Sequence, residues 1–302
     1  MRRQFLKQMA SLQVLVATGM VPSSLKAAMQ QQVARTGGPK LKIGLNAYSF
    51  NTPLLNGEMS LDQLLEFCAK QNLEAVDLTG YYFKGYPRTP SDDVVYHVKR
   101  RAFLLGLDIS GTGVRNDFTY SDEKKRKEDV QLVKNWIDIA AKLGAPVIRV
   151  FAGKQNVDAF TWDQVAEWMV RDIKECVEYG SQRGVMIGIQ NHNDFIKTSE
   201  DALRILKMVD SPWCGLILDT GSFRGPDPYA EIAKAAPFAI NWQIKENVFI
   251  GTEQVRVDLM RLVRAIMECG YRGYLPIETL GAGDPKVKVP AFLREVRSAL
   301  TH

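Results

Sequence analysis

Histidine and cysteine are scarce in this 302-residue chain, which holds three histidines and four cysteines. Cys68, Cys176, Cys214 and Cys269 lie far apart and show no paired spacing of the zinc-binding or redox type. We expect free thiols that are mostly buried, and the alternative is a disulfide formed in an oxidising compartment. A site built mainly from histidine and cysteine is therefore excluded.

Acidic residues are absent from the first 57 positions. Arg2, Arg3 and Lys7 precede a moderately apolar run over 9–21, and small residues follow at 27–28. A positively charged N-terminal region, a short apolar segment and small residues at the cleavage site are typical of an export signal. The paired arginines resemble the twin-arginine type. We predict a signal peptide over 1–28, a linker over 29–40 and a periplasmic or otherwise exported protein. The alternative is an amphipathic N-terminal helix on the folded domain.

No later apolar run approaches the roughly 20 residues that a membrane span needs, so we expect no stable span. The chain has 39 basic and 34 acidic residues, a formal charge of +5. Residues 1–28 contain four basic residues and no acidic one, so the rest carries 39 − 4 = 35 basic against 34 acidic residues, a net +1. The basic excess therefore belongs mostly to the predicted signal and does not indicate nucleic-acid binding.

From residue 41 onward, short β-branched runs alternate with amphipathic helical patterns. The predicted strands are Lys42–Phe50, Leu73–Thr79, Leu107–Thr112, Pro146–Ala152, Val185–His192, Gly215–Thr220, Ile240–Glu246 and Gly273–Thr279. The predicted helices lie near 61–72, 91–105, 122–143, 161–182, 198–209, 227–236, 254–269 and 286–300. Eight strand–helix units over roughly 250 residues predict an α/β fold, a single-domain (β/α)8 TIM barrel over 41–302. The rival, a doubly wound open sheet, usually has a glycine-rich phosphate loop after its first strand, and that loop is missing here.

Polar residues end four consecutive predicted strands. In such a barrel the active site lies at the carboxyl ends of the strands, and residues two apart share a face. The side chains that would meet at one level are Gln190, Asp219, Gln243 and Glu278. All four present oxygen, which suits Mn, Mg or Ca better than Zn. Alternatively, each residue only caps its strand through hydrogen bonds.

The segments 184–192, 215–221, 241–246 and 273–279 resemble the xylose isomerase-like TIM barrels, a superfamily of sugar isomerases and epimerases, inosose dehydratases and endonuclease IV. The resemblance implies a divalent metal held by Glu, Asp, His and Glu, which correspond here to Gln190, Asp219, Gln243 and Glu278. Glutamine replaces the first glutamate and the histidine, so the site has two negative charges instead of three. We expect weaker metal binding, and a metal-free site stays open.

The substitution at Gln190 also affects the predicted mechanism. Two-base epimerisation needs a carboxylate on each face of the sugar, and glutamine cannot titrate. Glu278 remains as the base, with His192 or Lys245 as its proton partner. The resemblance and these residues imply an isomerase or epimerase that enolises an unphosphorylated keto-sugar or glycoside, or a lyase or dehydratase that eliminates a β-substituent. His192 could instead be a hydrogen-bonded strand-end residue, and Lys245 a salt-bridge partner of Glu278 or Asp219.

Further polar and aromatic residues are predicted to contact the sugar. They are Arg149, Asn46, Tyr48, Asp77 and Trp242. Aromatic faces stack on the apolar face of a sugar ring, while its hydroxyls need placed polar partners. With only three histidines, the chain lacks the donors of an endonuclease IV-like site, so we expect no nucleic-acid partner. A non-catalytic carbohydrate-binding barrel and a homo-oligomer stay open.

Overall fold

The computed structural model describes residues 40–154, 159–192 and 194–301. The predicted signal peptide and all of the predicted linker except Lys40 lie outside the described residues. Within the described part of the chain, no helix has the length and apolar character needed to cross a membrane. The four cysteines are free thiols, as expected.

Eight parallel strands close into a barrel, which confirms the predicted single-domain (β/α)8 fold. These strands are β1 (Leu41–Asn46), β2 (Ala75–Thr79), β3 (Asp108–Gly113), β4 (Val147–Phe151), β5 (Met186–Gln190), β6 (Cys214–Asp219), β7 (Ala239–Lys245) and β10 (Gly273–Glu278). Around the barrel their order is β1-β10-β7-β6-β5-β4-β3-β2. Each strand therefore ends beside its chain neighbour, and the carboxyl ends of all eight meet at one rim.

Helices follow the barrel strands. They are α1 (Asn51–Leu55), α2 (Leu61–Lys70), α3 (Asp92–Leu104), α4 (Glu123–Leu143), α5 (Trp162–Ser181), α6 (Ser199–Val209), α7 (Pro228–Ala235), α8 (Leu259–Glu268) and α9 (Pro285–Leu300). Four of the longer helices lead into the next strand through Gly106, Gly144, Gly184 and Gly270, whose φ angles are 71°, 80°, 69° and 71°. A left-handed residue turns the chain out of a helix, and glycine adopts that conformation without steric strain.

One predicted helix starts too early. Residues 254–256 belong not to a helix but to an antiparallel hairpin of β8 (Asn247–Ile250) and β9 (Glu253–Arg256). Helix α8 begins after Asp258, whose carboxylate accepts hydrogen bonds from the backbone N–H groups of Met260 and Arg261. The first strand ends at Asn46, earlier than the predicted Phe50. The Asn46 side chain accepts a hydrogen bond from the Tyr48 N–H at 2.9 Å and caps a short 3-10 helix over 47–50.

The barrel interior is filled below the rim. A Cβ on Gly188 would lie 2.4 Å from Ile217 Cδ1, and a Cβ on Gly215 would lie 2.4 Å from Ile240 Cγ2. These glycines therefore make room for isoleucine side chains. On the outer face of the sheet, Leu216 and Leu218 are fully buried. Among the described residues, isoleucine side chains therefore fill this part of the barrel interior.

Candidate active site

A cavity of about 730 Å³ opens at the carboxyl ends of the strands. Nine of the eleven predicted site residues line it: Asn46, Tyr48, Arg149, Gln190, His192, Asp219, Gln243, Lys245 and Glu278. The volume is in the range of pockets that enclose a small-molecule ligand. The predicted strand alternation therefore brings these residues together as expected.

Hydrogen bonds join the three residues from β5, β6 and β7. Gln190 Nε2 donates to Asp219 Oδ2 at 2.7 Å and to Gln243 Oε1 at 2.8 Å. All three side chains are buried, Asp219 completely. An ionised carboxylate can only accept hydrogen bonds, so the Gln190 atom that faces Asp219 must be the amide nitrogen. Both hydrogens of this amide are thereby used within the cluster.

Lys245 lies between the two carboxylates of the site. Its Nζ donates to Glu278 Oε1 and lies 3.4 Å from Asp219 Oδ2. Lys245 is only 8% exposed and Glu278 only 4%. The stem of the lysine passes Gly221, where a Cβ would lie 2.8 Å from Lys245 Cγ. The glycine that follows Asp219 and Thr220 therefore leaves the space that the lysine occupies.

Backbone contacts beyond the strand ends hold this cluster in register. The Asn191 side chain accepts from the Asp219 N–H and donates to the Asp219 carbonyl, both at 2.9 Å. Thr220 Oγ1 accepts from the Lys245 N–H at 2.9 Å. Through these hydrogen bonds Asn191 connects the end of β5 to β6, and Thr220 connects the end of β6 to β7. Sequence alternation alone did not identify these two positioning residues.

Burial and charge act in opposite directions on the two ionisable partners. Burial raises the pKa of Glu278, Lys245 lowers it, Asp219 raises it again, and the net direction is upward. Burial lowers the pKa of Lys245, but Asp219 and Glu278 outweigh that effect and the pKa is raised. Lys245 therefore stays charged, while Glu278 is a stronger base than an exposed glutamate.

His192 lies at the mouth of the cavity and not at its floor. Strand β5 ends at Gln190, so His192 follows the strand, and its side chain is 47% exposed. Its ring packs on Phe151 at a centroid distance of 4.5 Å, and its Nδ1 lies 3.6 Å from Asp194 Oδ2. The imidazole is therefore accessible to a ligand from the solvent side.

Arg149, from β4, is buried in the cavity wall beside Phe151, on whose ring His192 also packs. Its guanidinium donates to the Val114 carbonyl and, at 3.3 Å, to Tyr81 Oη, and it covers the Phe151 ring at 3.9 Å. No ion pair within 4.0 Å involves Arg149 among the described residues. Its remaining N–H donors can serve an oxygen of a ligand. Tyr48 packs edge-on against Tyr81.

Two predicted sugar contacts do not line the cavity. Trp242 is fully buried on the outer face of β7, where its indole packs edge-on against Tyr271 at 5.8 Å. The prediction for Trp242 is therefore wrong, because alternation turns it away from Gln243 and toward the helices. Asp77 points inward but lies deeper, since a Cβ on Gly111 of β3 would lie 2.8 Å from its Oδ2. Burial raises the pKa of Asp77 to about 6, with Arg149 opposing and Glu278 adding to this effect.

Two arginines at the rim were not predicted. Arg115 covers the Tyr81 ring at 4.2 Å, and Arg224 covers the Phe249 ring of β8 at 3.7 Å. Both line the cavity. They belong to connecting segments, where strand alternation carries no information, and Phe249 reaches Arg224 only because β8 and β9 form a hairpin. Residues 80–87 contain four aromatic side chains, Tyr81, Tyr82, Phe83 and Tyr86, and this cluster is the sequence signal that lies near Arg115.

Fold and site together define an α/β barrel with a charged polar cavity at its carboxyl rim. A model of the xylose isomerase-like TIM barrel family matches residues 59–296. The chain therefore belongs to this family, which confirms the resemblance read from strands β5, β6, β7 and β10. No curated protein matches the chain.

Similar solved structures include sugar epimerases. L-ribulose 3-epimerase has a TM-score of 0.73 at 17% identity, covering 86% of this chain and 95% of that one. D-psicose 3-epimerase from Clostridium cellulolyticum H10 has a TM-score of 0.71 at 17% identity, covering 86% and 99%. The 3-keto-D-glucoside 4-epimerase of E. coli has a TM-score of 0.69 at 15% identity, covering 86% and 100%. At these identities the similarity shows a shared fold.

A divalent metal, as the resemblance implies, does not fit the donor set of this site. The described residues contain no group of three or more His, Cys, Asp or Glu side chains suited to a metal. The Lys245 ammonium already contacts both carboxylates. The Gln190 amide turns its nitrogen toward Asp219, and Gln243 Oε1 accepts from that same nitrogen. A metal ion would have to displace the lysine and break the amide hydrogen bonds.

Proposed function

We propose that this protein is a sugar isomerase or epimerase-like enzyme that enolises an unphosphorylated keto-sugar or glycoside, with Glu278 as the base. The observation that carries the proposal is the buried Glu278 carboxylate on the cavity wall, where its pKa is raised and Lys245 holds it in place. A base of raised pKa beside a fixed ammonium suits removal of a proton next to a carbonyl group.

The proposed step transfers the proton from the carbon next to the carbonyl to Glu278, and the electron pair moves onto the carbonyl oxygen. Return of the proton to the former carbonyl carbon, with transfer of the α-hydroxyl proton to the former carbonyl oxygen, gives the isomer. Return of a proton to the opposite face of the original carbon, with the carbonyl restored, gives the epimer. Loss of a β-substituent gives the elimination product instead. His192 and Lys245 both line the cavity and are the proposed proton partners.

The cavity favours a sugar by its composition. Tyr48 offers an aromatic ring, while Asn46 and Arg149 offer hydrogen-bonding groups. Similar solved structures include enzymes named for psicose, ribulose and a keto-glucoside, which supports a sugar as the substrate class here. The sequence contains no glycine-rich phosphate loop after its first strand, and this favours a sugar without a phosphate.

Solvent hydrogen exchange tests the proposal. Wild-type protein is incubated with a panel of keto-sugars and 3-keto-glycosides in deuterated water, and the α-proton signal is followed by NMR. We expect the signal to disappear with at least one sugar, and Glu278→Gln to slow this exchange by about a hundredfold or more. Glu268→Gln is the matched control, because Glu268 is exposed at the end of α8.

The same experiment separates the alternatives. New sugar signals identify isomerisation or epimerisation, whereas loss of a substituent identifies a lyase or dehydratase. Saturable sugar binding without exchange across the whole panel would refute the enzymatic proposal and support a carbohydrate-binding barrel. We also propose that residues 1–28 direct export of the protein, on the basis of the paired arginines and the lack of acidic residues.

A further inference from the structure

We infer that the ammonium group of Lys245 is the resident cation of this centre and takes the place of a divalent metal. Two consequences follow: the wild-type site does not bind a divalent metal, and enolisation proceeds without one. The second consequence rests on the proposed function, whereas the first depends only on the residues that line the cavity.

The position of the ammonium is the first argument. Lys245 Nζ contacts Glu278 Oε1 and lies 3.4 Å from Asp219 Oδ2, and these two are the only carboxylates in the four-residue cluster. All three groups are buried. Two buried carboxylates this close need a positive charge between them, and the lysine supplies it. A metal ion that used both carboxylates would need the space that Nζ occupies.

The amides are the second argument. If residue 190 were a glutamate, its carboxylate would face that of Asp219, and such a pair requires a cation. Gln190 replaces this repulsion with a direct hydrogen bond of 2.7 Å to Asp219 and a second of 2.8 Å to Gln243. The cluster is therefore satisfied internally. A metal would gain amide oxygens only after these hydrogen bonds were broken.

The charge count is the third argument. Asp219 and Glu278 contribute −2, Lys245 contributes +1, and the two glutamines contribute none. A divalent ion entering beside the lysine would meet a net charge of only −1 and a like-charged ammonium at close range. Hard divalent cations depend on carboxylate charge for affinity, so this site disfavours them.

The chemical role follows from the position. Lys245 lines the cavity, so its ammonium is accessible to a ligand as well as to the carboxylates. During enolisation, negative charge develops on the sugar oxygen, and a fixed buried cation stabilises that charge. The contact with Glu278 also keeps the base beside the same sugar atoms. In this respect the lysine provides the electrostatic stabilisation that a bound metal provides elsewhere.

Metal titration tests the first consequence without any substrate. Purified wild-type protein is freed of metal with EDTA and titrated with Mn²⁺, and binding is followed by calorimetry, by the EPR signal of free Mn²⁺ and by the melting temperature. We expect no stoichiometric binding and no rise in melting temperature. Stoichiometric binding that disappears in Asp219→Asn would overturn the inference, whatever the variants below do.

Removal of the lysine should create the metal site. Lys245→Met leaves Asp219 and Glu278 buried without a cation, so we expect Mn²⁺ to bind roughly tenfold or more tightly than to wild type and to raise the melting temperature. Lys245→Gln is used if the methionine variant does not fold. Lys174→Met, an exposed lysine of α5, is the matched control and should behave like wild type. A folded Lys245 variant that gains no Mn²⁺ affinity would overturn the assignment of the lysine to the metal position.

Hydrogen exchange tests the second consequence. Wild-type exchange should be unchanged by EDTA, should be lost in Lys245→Met and should be partly restored in that variant by Mn²⁺. Exchange that EDTA abolishes and Mn²⁺ restores in the wild type would overturn the metal-free mechanism. If no sugar exchanges at all, the proposed function fails, and the Mn²⁺ titration still decides whether the lysine excludes a metal.

Discussion

Glu278 is held by one cation and repelled by a second carboxylate, and its protonation should control the reaction. Burial raises its pKa above the ordinary value of 4.5, Lys245 lowers it and Asp219 raises it. Because the base must be deprotonated, the exchange rate should fall as the pH decreases through this raised pKa. We expect the acid limb of the rate–pH profile to lie above pH 4.5.

The profile of kcat/KM for α-proton exchange, measured on the free enzyme at low substrate concentration, checks this prediction. Glu268→Gln should show the same limb as wild type. Glu278→Gln should exchange the α-proton slowly, and its kcat/KM should not decrease with pH in the way that the titration of Glu278 produces in wild type. An acid limb at or below the ordinary glutamate value would contradict the assignment of Glu278 as a buried base.

Asp77 should make the unfolding free energy depend on pH. Its pKa is about 6 in the folded protein, because burial and Glu278 raise it while Arg149 lowers it, against an ordinary value of 3.8. The folded state thus favours the protonated carboxyl group. The contribution of Asp77 to the unfolding free energy is therefore fully present below the ordinary pKa and is lost as the pH rises through about 6. Asp77→Asn removes this loss, and we expect it to be more stable than wild type by about 2 kcal/mol at alkaline pH.

Urea denaturation at about pH 5 and about pH 8 measures this effect, and the advantage of the asparagine variant should shrink at the lower pH. Asp93→Asn, at an exposed position of α3, is the control and should show no such pH dependence. An asparagine variant that is less stable than wild type at the higher pH would refute the prediction.

At the scale of elements, two glycines leave the space that two of the cavity cations, Arg149 and Lys245, occupy. A Cβ on Gly113 would lie 2.9 Å from Arg149 Nε, and a Cβ on Gly221 would lie 2.8 Å from Lys245 Cγ and 2.9 Å from the Asn247 carbonyl. We expect Gly113→Ala to raise KM, because Arg149 is proposed to bind the sugar. We expect Gly221→Ala to lower kcat, because Lys245 stabilises the developing charge. Each effect should be about tenfold or more.

Steady-state kinetics on the substrate found by hydrogen exchange separates the two effects. Melting temperatures of both variants serve as the control, since a partial loss of fold would lower the apparent kcat through the active fraction without changing KM. If the two alanines changed the same parameter to the same extent, the separate roles of Arg149 and Lys245 would be wrong.

Helices α4 and α5 are joined by a buried ion pair. Arg126 Nε donates to Asp172 Oδ2 at 2.8 Å, and both side chains are almost completely buried. Removing the arginine leaves the buried Asp172 carboxylate with only the more exposed Lys127 ammonium, 3.3 Å away, so we expect Arg126→Met to cost about 3 kcal/mol of unfolding free energy. Arg126→Met combined with Asp172→Leu should recover most of this loss, because no buried charge remains.

Urea denaturation measures this effect as well. The control is Lys142→Met, which removes the more exposed pair with Asp92 and should cost much less than Arg126→Met. A double variant no more stable than Arg126→Met alone would show that packing of the arginine side chain, and not the loss of its charge beside the buried carboxylate, accounts for the destabilisation.

At the scale of the whole molecule, residues 1–28 carry a net charge of +4 (four basic residues and no acidic one), whereas the remaining residues, with 35 basic and 34 acidic side chains, carry a net charge of only +1. If residues 1–28 are a twin-arginine-type signal, Arg2→Lys combined with Arg3→Lys should block export, whereas Lys7→Arg should not. Cell fractionation measures export, and the intact mass of the exported protein shows whether the first 28 residues are removed. Equal export of the double variant would refute the twin-arginine assignment.

The alternation of apolar runs and helical patterns determined the barrel and most of its cavity. Because side chains on a strand alternate and all strands are parallel, Gln190, Asp219, Gln243 and Glu278 had to meet at one rim. The hairpin of β8 and β9 escaped prediction because residues 254–256 continue the polar–apolar pattern of α8. Trp242 was assigned to the sugar by its residue type, against its own alternation.

Only the tertiary structure decided what the polar residues do to one another. The sequence left Lys245 either as a proton partner of Glu278 or as a salt-bridge partner of Glu278 or Asp219. The structure puts it in contact with both carboxylates, because closure of the barrel places β10 beside β7. The sequence also could not tell that the Gln190 amide would satisfy Asp219 directly. Strand periodicity specifies the direction of a side chain, whereas the distance between charged groups depends on barrel register and packing. That distance distinguishes a lysine-held centre from a metal centre.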